Sequence, residues 1–157
     1  MHDLVIRNGT VVDGTGADRR VADVAIEGDT IAAIEAQGTI GPGRREIDAD
    51  GMIVTPGWVD IHTHYDGQVT WDPYLTPSGW NGVTTVVMGN CGFTLAPCKQ
   101  EQADLVFRNL ERAEDIAREA MLEGIEWSWE SFPQFLDAVD DLPKGINYAG
   151  YIGHSAL

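Results

Sequence analysis

The chain has 157 residues, with 10 Lys+Arg against 25 Asp+Glu, a formal net charge of −15 and a hydrophobic fraction of 43%. That mix is globular rather than disordered, and the length suits one domain with one main core. The acidity excludes a nucleic-acid surface, which needs clustered Lys and Arg, and docking on anionic membranes; its positive meaning is solubility. No apolar run approaches the roughly 20 residues that cross a bilayer. The N-terminal MHDLVIRNGT also lacks a basic region followed by an apolar core. Cys91 and Cys98 make neither a C-x-x-C motif nor a disulfide framework. A reducing cytoplasm is the expected location.

Residues 1–55 read as a small β-rich domain. LVIRN, GTVVDG and VADVAIEGDTIAAIEA are strand-forming runs, and Gly28-Asp29 between two apolar runs predicts a tight hairpin. GTIGPG (38–43) is a loop, and REIDADGMIVTP predicts a further strand pair around Asp50-Gly51. This spacing predicts a small β-sandwich or partial barrel. The Gly14–Gly16 segment lacks the further glycine and the helix that phosphate binding requires.

Residues 56–157 read as α/β. WVDIHTH, GVTTVVMGNCG and INYAGYIGH are apolar, strand-like runs that end in polar residues. Between the second and third, one helix is expected from Gln100 to Glu123, with Val106, Leu110, Ala113, Ala117, Ala120 and Met121 on one face. Another starts at Ser131, where Ser131 and Gln134 form a capping box and Pro133 fits the first turn. Phe135, Leu136 and Val139 face inward there, and Pro143 with Gly145 ends the helix. Strands alternating with helices predict parallel βα units.

His62-Thr63-His64 carries the clearest chemistry. Residues i and i+2 of a strand point the same way, so two imidazoles at a strand end can converge on one metal ion. Two such histidines also arise by chance on a wet loop. The apolar strand before them and the Tyr65-Asp66-Gly67 turn after them favour the ligand reading. Asp60, two residues earlier, is a candidate to orient a ligand from behind. Cys91 holds the matching place on the next strand; its position suits a zinc-binding thiolate and a small buried hydrophobe equally. Cys98, after Pro97, reads as structural. Asn90 and Gly92 suggest a tight turn with free N–H groups, and His154 ends the third strand.

The segments GWVDIHTHYDGQVTWDP, NGVTTVVMGNCGFTLAP, EGIEWSWESFPQFLDAV and NYAGYIGHSAL resemble the N-terminal part of D-aminoacylases, the N-acyl-D-amino-acid deacylases of the amidohydrolase superfamily. The resemblance implies an α/β fold: a small β-sandwich segment (1–55), then the first three βα units of a (β/α)8, TIM-like barrel (56–157), with zinc at the C-terminal ends of its strands. It places metal ligands at His62, His64 and Cys91. In the family, Cys91's counterpart joins two later histidines in the tighter zinc site, and the H-x-H pair serves a weaker or empty second position. The family's general acid/base is an Asp of a late strand, so no catalytic residue is expected within this chain. His154 is a candidate substrate contact, with capping or packing its bland reading.

The implied reaction hydrolyses an N-acyl-D-amino acid to a carboxylate and a free D-amino acid. A whole barrel takes about 250 residues, and three strands are legible here. The expectation is therefore the front third of a deacylase-like protein, inactive and weakly zinc-binding alone, with self-association through an open sheet edge. The alternative is a non-catalytic remnant or interaction protein.

Overall fold

The computed structural model describes residues 1–157, which divide into two compact units, Met1–Pro56 and Gly57–Leu157. In the first unit the central strand is β1 (His2–Val11). β2 (Arg20–Glu27) pairs with it antiparallel and carries β3 (Thr30–Ala36) on its far edge. The expected hairpin is present: Glu27 pairs with Thr30, and Gly28 takes the left-handed φ of 58° that the tight turn demands. LVIRN and GTVVDG form one strand, interrupted by a bulge at Asn8 (φ 62°). Between Ile6 and Gly9 the register advances three residues on β1 for two on β2. That extra residue brings Val11 to the side of the sheet where Ile6, Ala22 and Val24 cluster.

Two expectations for this unit need correction. β4 (Gly43–Asp48) and β5 (Ile53–Val54) do not pair with each other around Asp50-Gly51. Both run parallel to β1 along its free edge, where Ala49 N–H donates to the Arg7 carbonyl at 2.8 Å and Thr10 N–H to the Met52 carbonyl at 2.9 Å. The turn is a jog along one edge. The five strands also make one sheet, whereas a sandwich needs two packed sheets.

The second unit holds β6 (Trp58–Thr63), β7 (Val83–Met88) and β8 (Asn147–Gly150), a parallel three-stranded sheet in that order. α1 (Ala103–Glu114), α2 (Arg118–Gly124) and α3 (Phe132–Asp140) lie between β7 and β8 in the chain. The connection from β6 to β7 has only 3-10 turns, at Gln68–Thr70 and Gly79–Asn81, so strand and helix do not alternate there. Asp72 explains this locally. Its carboxylate accepts the N–H groups of Tyr74 (3.1 Å) and Thr76 (2.7 Å), which offers the backbone turns in place of a helix.

The single helix expected from Gln100 to Glu123 is two helices. Asp115 adopts a left-handed φ of 54° and ends α1. The buried face is Ala103, Phe107, Leu110 and Met121, while Ala113, Ala117 and Ala120 are exposed. α3 starts as expected: the Ser131 hydroxyl accepts from Gln134 N–H and the Gln134 side chain accepts from Ser131 N–H, with Pro133 in the first turn. Phe135 and Val139 are buried, but Leu136 is 40% exposed. Val86 and Met88 of β7 share one core with these helices, and Trp129 meets Phe135 edge-to-face at 5.1 Å. No helix is long and apolar enough to cross a membrane.

Candidate metal centre

The carboxyl ends of β6 and β7 bring three ligand-type side chains together. One ligand atom each from His62, His64 and Cys91 lies within 4.8 Å of the others. Their rings and thiol reach the surface: both histidines are exposed and Cys91 is half-buried. The imidazoles stack, with centroids 5.4 Å apart and planes 17° from parallel.

Local chemistry explains this convergence. β6 and β7 are in parallel register from Asp60↔Val86 to Thr63↔Met88, with one extra residue taken up on β6 between those pairs. The Thr63 hydroxyl, between the two histidines, donates to the Val87 carbonyl at 2.9 Å and holds the strand end down. Asn90 donates from its amide to the Ile61 carbonyl at 2.9 Å, which places Cys91 beside His62. Gly89 then needs both its φ of 81° and its missing side chain, because a Cβ would fall 2.6 Å from the Tyr151 carbonyl oxygen. Beyond Cys91, Ser155 donates to the Gly92 carbonyl from its N–H (2.9 Å) and its hydroxyl (2.6 Å).

The thiol has two polar neighbours: Phe93 N–H donates to Sγ at 3.4 Å, and the Phe93 carbonyl lies 3.6 Å away. His64 Nδ1 pairs with the carboxylate of Glu114, the last residue of α1. Asp66, 4% exposed, is the buried carboxyl of the site. Burial, with the nearby Glu114 charge, pushes its pKa up to about 7 against the pull of the Asp66 and Gly89 N–H groups.

Other expected residues fall differently. The Asp60 carboxylate accepts from the backbone N–H of His62 at 3.2 Å rather than from an imidazole, so it steadies the strand end and not a ring. The extra residue on β6 breaks the alternation that would have aligned it with the rings. His154 opens a 3-10 turn, exposed beside Gly92, and is not part of the three-residue cluster. Cys98 lies apart, tied through its N–H to the Glu130 carbonyl at 2.9 Å. Asp66 and Glu114 were not singled out by sequence: one sits in a turn, the other on a charged helix with no distinctive spacing.

A model of the amidohydrolase family matches residues 45–157, well over half of the chain. The chain belongs to the amidohydrolase family. It is 47% identical over 155 residues to the N-acyl-D-glutamate deacylase of Alcaligenes xylosoxydans xylosoxydans, covering 99% of this chain and 29% of that protein. The D-aminoacylase of the same organism is 37% identical, with 99% of this chain and 30% of the relative covered. The solved N-acyl-D-glutamate deacylase of Bordetella bronchiseptica, complexed with zinc and a phosphonate mimic of the tetrahedral intermediate, superposes with a TM-score of 0.76. It is 35% identical and covers 99% of this chain and 30% of its own. The chain thus spans about 30% of the length of these amidohydrolase relatives.

Proposed function

We propose that this chain supplies the His-x-His and Cys part of the metal centre of a zinc-dependent amidohydrolase that deacylates N-acyl-D-amino acids. The observation that carries this is the approach of His62, His64 and Cys91 to within 4.8 Å of one another. Donors on one tetrahedral zinc, with bonds of about 2.0–2.3 Å, sit about 3.3–3.6 Å apart. Small rotamer changes at exposed imidazoles close that difference. Two imidazoles and a thiolate also form a borderline-soft set of the kind that suits zinc. The same spacing serves two neighbouring ions, and a related D-aminoacylase is described with a binuclear metal centre.

In this reading the three parallel strands are the opening strands of a (β/α)8 barrel, whose sites lie at the strands' C-terminal ends. His62, His64 and Cys91 would hold an ion whose chemistry there would be Lewis acidity toward an acyl carbonyl and toward water. The chain's own residues do the placing. Thr63 and Asn90 fix the two strand ends against each other, and the Phe93 N–H donates to Cys91 Sγ and holds the side chain in place. His154, beside Gly92 on the same rim, is the residue from β8's end placed to meet substrate. Both cysteines are free, which fits a reducing cytoplasm.

Calorimetric titration of the 157-residue chain with zinc tests this reading. Binding in the micromolar range or weaker is expected, lowered at least about tenfold in His62→Ala and in Cys91→Ser. Binding indifferent to both substitutions contradicts the assignment. No release of free D-amino acid from acyl-D-amino acids is expected from this chain alone. Turnover that disappears in Cys91→Ala contradicts that expectation.

A further inference from the structure

The structure gives the Glu114 carboxylate a charged or polar side-chain partner at His64 Nδ1. Glu114 is the last residue of α1, so its carboxylate sits at the negative end of the helix dipole. Its side chain is only 11% exposed, walled by Phe93, Leu110, Ile116 and Met121, with the buried Asp66 carboxyl close by. Around the carboxylate, then, are apolar walls, the Asp66 carboxyl and the carbonyl end of the helix. Its favourable partner is the Nδ1 side of His64.

We infer that Glu114 is a positioning residue: it accepts the Nδ1 proton of His64 and so leaves Nε2 bare, as the nitrogen offered toward His62 and Cys91. A neutral imidazole carries one proton, and the hydrogen bond made by one nitrogen decides which nitrogen can ligate. The Asp115 residue that breaks the helix serves the same geometry, since it ends α1 where Glu114 meets the imidazole. The inference deepens the metal-site reading and rests on it for its functional meaning, but the tautomer itself is a property of the metal-free chain.

Nitrogen NMR of the imidazoles in the metal-free chain at about pH 8, above the ordinary imidazole pKa of about 6.5, reads the tautomer directly. The expected result is His64 protonated at Nδ1 in the wild type and in Glu114→Gln, whose side-chain oxygen still accepts. In Glu114→Ala that preference is lost and the zinc dissociation constant rises about 10–100-fold, while the Gln variant keeps most of the affinity. His64 protonated at Nε2 in the wild type, or in the near-isosteric Gln variant, overturns the inference. So does a loss of affinity in Glu114→Ala with the tautomer unchanged, which marks a merely structural role. A wild type that binds no zinc defeats the metal reading, and the tautomer comparison still decides what Glu114 does.

Discussion

Asp23 is fully buried in the first sheet, and its environment keeps it ionised. Burial pushes its carboxyl up, but the N–H groups of Asn8 and Gly38 (both 2.9 Å) and the Arg7 guanidinium (3.1 Å) outweigh that and hold it below the usual carboxylate range. Arg7 also bonds Glu46, holding that carboxyl, with help from the Gly43 N–H, down to about 2. A carboxyl depressed in the folded state contributes stability that is complete above its unfolded pKa, about 3.9, and is lost as pH falls through the lower folded value. Urea unfolding at pH values from neutrality to below that range should therefore show a shallower acid loss in Asp23→Asn than in the wild type. Equal slopes contradict it. Asp23 gave no sequence signal, because its partners, Arg7 and Asn8 of β1 and Gly38 of a turn, meet it only when the sheet forms. His62, His64 and Cys91 were legible because each ends an apolar run. Asp66 and Glu114 were not, since a turn carboxylate and a helix carboxylate look solvated until packing covers them.

At the scale of elements, α3 was readable in advance because its start is local chemistry: a hydroxyl and an amide three residues apart satisfy each other's N–H groups. Ser131→Ala removes one acceptor and should cost about 1 kcal/mol in denaturant unfolding, with the loss focused on α3 in hydrogen exchange. A change within error would mean that packing of Phe135 and Val139 alone holds the helix. The break after Glu114 was not readable, because residues 100–123 keep a helical apolar spacing straight through it. The left-handed Asp115 ends α1 and turns the chain before Ala117 and Ala120, so those two do not continue its face, while within α1 the inward places go to Ala103, Phe107 and Leu110. The β4–β5 segment failed as a hairpin for a related reason. Its turn residues suit a reversal equally well, and only the long free edge of β1 chooses the parallel jog.

At the scale of the whole molecule, β6 and β8 are the edges of a three-stranded parallel sheet, and Trp58, Val59 and Ile61 of β6 are 60%, 59% and 65% exposed. Unpaired edges with apolar side chains favour association, while the net charge of −15 opposes it. Sedimentation should show mass above the 17.1 kDa of one chain, growing with protein concentration and with salt that screens the charge. Val59→Lys should shift it toward the monomer, and a salt-independent monomer in the wild type contradicts the expectation. The central claim is that the thiol and the paired imidazoles share one metal centre, and X-ray absorption at the zinc edge of the loaded chain tests it most directly. A sulfur neighbour at about 2.3 Å together with nitrogens at about 2.0–2.1 Å is expected, the sulfur vanishing in Cys91→Ala. A shell of nitrogen and oxygen alone in the wild type would show that Cys91 takes no part.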